Sequence, residues 1–419
     1  MIPTVTAQMD ALMRQLQSDL GRYAELGDKV SGGKGDLAAA DWIAQRLAAL
    51  GYEVQRQSIG VPVFEAGHCS LEAGDATAHV WAQPPVTATG DAGITAPLAV
   101  VRAAFDASDA RGRIALLVLP HGRHASMRSP LIAPLMKAAE AAGAVALVIV
   151  PTGPTGEVVA LNCELDATLA QLPTAVLAPA QAAPFLAAAR CAVPATLRLA
   201  GRSSRGASAN VLGLLRRGPR WIALSTPRTG WFCCASERGT GTAAFLALAA
   251  WAAQRDTDHS IFLLNSGAHE YQFAGARRAM PLAPPPAQTA VWAHLGASLA
   301  TRDRLEFRGR EQPLPSADPN RTVMASPAML EAVATAFSGL SGLERPMPVV
   351  DGMSELGGIA SHGYQRCFAV LGIPKLFHTR QDTIEAVDAA LLAPVVRAHI
   401  AAIEAALQSD LLDAKAAPA

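Results

Sequence analysis

Three short stretches of this chain carry residue types that bind metals and move protons. Leu376-Phe377-His378-Thr379-Arg380-Gln381-Asp382-Thr383 sets a histidine between an apolar, strand-like run and a long Ala/Leu helix. Asn265-Ser266-Gly267-Ala268-His269-Glu270 follows the apolar run Ile261-Phe262-Leu263-Leu264, and Ser236-Glu237-Arg238-Gly239-Thr240-Gly241 precedes an Ala-rich helix. Ligand sites in open α/β sheets collect at strand ends. Glu237, Glu270 and His378 at three such ends predict one metal-binding crevice. A metal held there would lower the pKa of bound water toward about 7 and polarise a carbonyl. Each residue also has a plainer reading, Glu237 in particular being placed to cap the helix that begins near Gly241.

Such residues need a scaffold to bring them together. Residues 36–50 put Leu37, Ala40, Ile43, Leu47 and Leu50 at helical spacing, with Gly51 placed to end the helix. Residues 52–57 alternate like a strand. From about 60 to 205 the texture is richer in Pro, Ala and Gly, with strand candidates at 114–119 and 145–150 around a helix-like 131–142. Strands at 210–215, 221–224, 261–264 and 289–293 then alternate with a helix at 241–254. The alternation predicts an α/β fold, a mostly parallel twisted sheet with helices on both faces. The proline-rich 281–286 is a loop, 386–412 a long helix, and 413–419 a disordered tail. The expected organisation is one discontinuous unit, 1–59 with 206–412, interrupted by a smaller inserted unit at 60–205.

The chain has 419 residues, half of them hydrophobic, and 35 basic against 35 acidic groups. This balance offers no electrostatic case for nucleic acid or an anionic membrane surface, so a small-molecule or short-peptide partner is expected. Residues 1–20 are amphipathic rather than signal-like, and no stretch reads as about 20 uncharged apolar residues. The expected setting is the cytoplasm, with a homo-oligomer possible. Six cysteines, at 69, 163, 191, 233, 234 and 367, have no metal-ligand spacing and read as free thiols. No Gly-x-Ser-x-Gly elbow follows a strand, which argues against a serine nucleophile.

The order of helix, Gly51-Tyr52-Glu53-Val54 strand, inserted segment, Ser208-Ala209-Asn210-Val211-Leu212-Gly213 and the three site segments resembles the co-catalytic zinc aminopeptidase family, which includes the glutaminyl cyclases. The inserted segment, with Gly112-Arg113-Ile114-Ala115-Leu116-Leu117, looks like the protease-associated domain of many members. The resemblance implies one zinc ion, with manganese or cobalt as substitutes, held by Glu237, Glu270 and His378. Two departures limit it. Where the family has His-x-Asp stand Pro227 and Thr229, and where a later aspartate belongs stands His294. One of the family's two metal sites is therefore expected to be lost.

On that resemblance His269 takes the place of the family's general base, with ligand and structural roles open, and His294 orients substrate or stabilises an oxyanion. Imidazole titrates in a range suited to base catalysis. Arg228 can clamp a substrate carboxylate, and Trp231 and Glu355 complete the expected substrate-binding set. Asp382 is expected to fix the His378 loop. The implied activity is metal-dependent hydrolysis of an amide in a small substrate, such as an N-acyl amino acid or a short modified peptide. The alternatives are an inactive binding protein on the same scaffold, glutaminyl cyclase-like aminoacyl transfer, and a dinuclear aminopeptidase.

Overall fold

The computed structural model describes residues 5–416 apart from 166–168, 170, 308, 309 and 353. Its centre is a set of strands buried at every position: Trp221–Pro227, Ser260–Ser266 and Thr289–Leu295. Strands covered on both faces read as continuous apolar runs, and these three are parallel, as that pattern requires. Cys367–Gly372 extends the parallel set beside Thr289–Leu295. Arg321–Ala325 and Pro194–Leu215 flank it antiparallel, and the whole sheet has 14 strands.

Both faces are covered. Leu20, Ile43, Phe245 and Val396, from the helices Val5–Glu25, Lys34–Ala49, Thr240–Gln254 and Ala389–Ala416, share one core with Ile222, Leu263 and Val291 of the sheet. On the opposite face Met280, Leu356 and Ile359 pack on Leu212, Phe262 and Trp292. Gly51, at φ +89°, turns the chain out of Lys34–Ala49 into the next strand, a conformation costly for any residue with a Cβ. The span Ala389–Asp410 is long and apolar enough to cross a membrane by length and composition, yet 56% of its most apolar window is buried inside the structure.

Three expectations change. The final helix runs to Ala416, through most of the expected tail; 417–419 lie outside the described residues. The strands are longer than their apolar runs, because Thr226, Asn265 and Ser266 continue the ladder. The 60–205 segment does build parallel strands of its own, Ile94–Val101, Ile114–Val118, Ala146–Val150 and Thr174–Val176. It joins the rest through Glu53–Ala73 and Pro194–Leu215, two strands of 21 and 22 residues that pair across both expected boundaries. One of its cores also takes in Trp231, Phe232, Ala268, Tyr271 and Ala274, so the segment shares its interior with the remainder of the chain. All six cysteines are free.

Candidate active site

Four parallel strands deliver the site at their carboxyl ends. After Trp221–Pro227 the chain enters left-handed space at Cys234 (φ +45°), forms a π-helical turn over Ala235–Gly239, and continues as Thr240–Gln254. Glu237 and Arg238 sit on that turn, a backbone form that recurs at functional sites. Ala268, Gln272 and Phe273 after the second strand, Ser298 after the third and His378 after the fourth are also at positive φ. Of seven such non-glycine residues among the described residues, only Ala192 lies away from these strand ends. Strain concentrated this way marks a place where geometry is held for a purpose other than stability.

Asp382 ties two of these ends together. Its carboxylate accepts the backbone N–H of Ser236 (2.7 Å) and Glu237 (3.0 Å), so the His378 loop caps the turn that carries Glu237. The expectation that Asp382 fixes the His378 loop, by bonding Thr379 or by capping the following turn, is thus redirected: its side chain reaches across to the segment that carries Glu237. Burial, with the nearby Glu237 charge, pushes this carboxyl up to about 7 against those two amides. Asn210 braces the third segment by accepting from Gly267 N and donating to Gly275 O.

His378 donates Nδ1–H to Ala160 O (2.7 Å), and its Nε2 lies 3.2 Å from Glu237 Oε1. The same oxygen lies 2.6 Å from Arg238 Nη2. Burial opposes charge on Glu237, but Arg238 and His378 outweigh it and hold the carboxylate down at about 2. Arg238 itself is 2% exposed and fixed by Thr229 O (3.0 Å) and Gly296 O (2.9 Å).

Glu270 does not join them. Its Oε2 accepts from Thr229 Oγ1 (2.6 Å) and Ser31 Oγ (2.8 Å), and burial raises its carboxyl to about 7. Thr229, standing where the family has a carboxylate, therefore draws Glu270 aside, and its Oγ1 also accepts from His269 N. Among the described residues no three His, Cys, Asp or Glu side chains are gathered as metal donors. The expected set of Glu237, Glu270 and His378 is only two-thirds assembled, with a guanidinium on the shared oxygen. A three-donor zinc centre does not fit this arrangement.

Beside this pair lies a cavity of about 400 Å³, lined by Arg238, His269, His294 and Glu355 among mostly apolar groups such as Phe273 and Phe377. His269 Nδ1 is 2.8 Å from Glu355 Oε1, and Ser266 Oγ donates to the same carboxyl. His294 Nε2 is 3.7 Å from Glu355 Oε2, while its Nδ1 meets Ser225 Oγ (2.8 Å), which accepts from Trp292 Nε1 (2.7 Å). Burial, reinforced by Arg238 and partly offset by Glu237, drives His269 well below the usual imidazole range. Burial, partly offset by Glu355, brings His294 to about 4. Burial raises Glu355, against His294 and Arg238. His294 is therefore neutral near pH 7, and burial favours the neutral form of His269 as well.

The expected substrate residues divide. Glu355 lines the cavity with His269 and His294. Arg228 does not: it is fully buried, paired with Asp36 at 2.8 Å and bonded to Asn265 Oδ1 at 3.0 Å. Trp231 is likewise buried, packed near Trp81 and Tyr271, with Nε1–H on Asn162 Oδ1. The sequence reading gave no role to Arg238 or Thr229. A cation set directly after the expected ligand Glu237 was the available signal for Arg238.

No protein-family model matches the sequence, and no curated protein matches it. Solved structures do. The aminopeptidase from Aneurinibacillus sp. strain AM-1 superposes with a TM-score of 0.66 at 17% identity, over 94% of this chain and 93% of that one. BSAP, a zinc aminopeptidase from Bacillus subtilis, superposes with a TM-score of 0.71 at 19% identity, over 94% and 95%. The chain has the zinc-aminopeptidase fold.

Proposed function

We propose that this chain uses the crevice of an aminopeptidase fold as a metal-free small-molecule site, with Glu355 and His269 as its acid–base pair. One observation carries the reading: the Arg238 guanidinium lies on Glu237, where it offsets a buried negative charge as a divalent cation would. Glu355 holds His269 at Nδ1. Carboxylate–imidazole pairing of this kind fixes the tautomer and leaves Nε2 to accept a proton. Nε2 of His269 is thereby left to accept a hydrogen bond from water or from a ligand hydroxyl in the cavity.

A second reading keeps the metal-dependent amide hydrolase, with an N-acyl amino acid or short modified peptide as substrate. A specific observation favours it. Both oxygens of Glu237, Nε2 of His378 and Oε1 of Glu270 are buried without an aligned hydrogen-bond partner.

Elemental analysis of the purified protein, with and without zinc incubation, separates the two. The metal-free reading expects no stoichiometric metal in either sample. About one zinc per chain, lost in a Glu270→Ala/His378→Ala double variant, would overturn it and establish the second.

A further inference from the structure

The polar groups on the cavity wall are unequal in charge. Two guanidiniums line it, Arg238 and Arg321, against one carboxyl, Glu355, which is already engaged by His269 and Ser266. Glu237 stands behind Arg238 and does not line the cavity. Both arginines are anchored to one short loop after Thr289–Leu295, Arg238 through Gly296 O and Arg321 through Leu299 O. Arg321 is further held by Ser341 O (2.9 Å) and is 8% exposed. Of the two acids whose charge it feels, Asp318 is paired with Arg123 at 3.2 Å.

A guanidinium has five N–H donors. Arg238 donates two hydrogen bonds, to Thr229 O and Gly296 O, and meets Glu237 as an ion pair through Nη2, while Arg321 donates two. The remaining donors have no partner among the described residues, and both side chains border the cavity. Buried N–H groups are satisfied in nearly all folded proteins, by protein, water or ligand. Phe273, Met324, Leu371, Ile373 and Phe377 give the wall a broad apolar part, beside the polar Asn162, Asn320, Thr322 and Ser354.

We infer that the cavity binds a small monocarboxylate with an apolar body, its carboxylate received by the spare N–H groups of Arg238 and Arg321. Planar guanidinium forks suit a planar carboxylate, and charge-assisted bonds of this type are the stronger class. Of the charged groups that line the cavity itself, two are guanidiniums and one is a carboxyl. A phosphate dianion would place its second charge near Glu355. The inference rests on the metal-free reading above, since a metal on Glu237 would compete with Arg238 for the same oxygen.

The test is calorimetric titration of chelator-treated protein, its metal content measured beforehand, with two isosteric pairs: hexanoate and hexanamide, N-acetyl-L-leucine and N-acetyl-L-leucinamide. At least one acid should bind about tenfold or more tighter than its amide, the scale of a charge-assisted contact. Arg321→Gln and the charge-neutral double variant Glu237→Gln/Arg238→Gln should each reduce that preference. Should the double variant fail to fold, the wild-type pairs and Arg321→Gln still decide. Equal binding of acid and amide, binding of neither, or a preference untouched by Arg321→Gln would overturn the inference. A stoichiometric metal would instead remove the reading beneath it, so the two failures are distinguishable.

Discussion

Arg228 and Arg238 lie ten residues apart, are both almost wholly buried, and have opposite surroundings. Arg228 sits in a closed region, its guanidinium spent on Asp36, Asn265 and the carbonyl of Ala209. Beside it Glu270 is held by Ser31 and Thr229. Arg238 borders an open region, the cavity, where N–H groups of its own and of Arg321 have no hydrogen-bond partner among the described residues. Burial alone does not separate a structural arginine from one that can meet a ligand. Counting donors does.

Breaking the closed region should have the largest effect. Arg228→Met leaves the Asp36 carboxylate buried without its counterion, and loss of one partner of such a pair costs about 3–5 kcal/mol. Denaturant unfolding should show that loss, and Arg228→Met/Asp36→Asn should recover part of it. Recovery of none would mean that the guanidinium's backbone contacts, rather than its charge, hold the region.

A histidine outside both regions measures what burial does without a catalytic neighbourhood. His399 packs between Phe337 and Phe368, donates Nδ1–H to Val395 O, and is lowered by burial to about 4. Its folded value lies below the unfolded value of about 6.5, so the unfolded chain binds the proton first. Its stabilising effect is present above pH 6.5 and lost as pH falls toward 4, on the order of 3 kcal/mol at about 1.4 kcal/mol per unit. His399→Leu should flatten the stability profile in that window. An unchanged acid profile would show that burial does not hold this imidazole neutral.

The smallest expected effect lies behind the open region. Ser225→Ala takes a partner from both His294 Nδ1 and Trp292 Nε1, a cost of about 1–3 kcal/mol. Thermal unfolding reports the loss. If the open region tolerates polar groups better than the closed one, the change should fall at the lower end of that range.

The central sheet was legible because its strands are buried on both faces and leave uninterrupted apolar runs at 221–224, 261–264 and 290–293. The long strands Glu53–Ala73 and Pro194–Leu215 were not. Their exposed middle, near Glu65 and Arg202, lacks alternation, and their pairing joins residues more than 100 positions apart. In the site, the positions of Glu237, Glu270, His269, His294 and His378 at or after strand ends could be read directly. The direction in which Glu270 points could not, because Ser31, 239 residues upstream, shares in setting it.

Those two long strands have a mechanical consequence. They pair across both parts of the chain with one irregularity, between Ala66 and Cys69. Ala125 and Asn162, from the inserted segment, form part of the cavity wall, and Asn162 is pinned by Trp231. The two parts thus share a beam instead of a joint. A beam flexes by small amounts, so the width of the crevice is set when the chain folds, and a ligand is chosen by the shape already there.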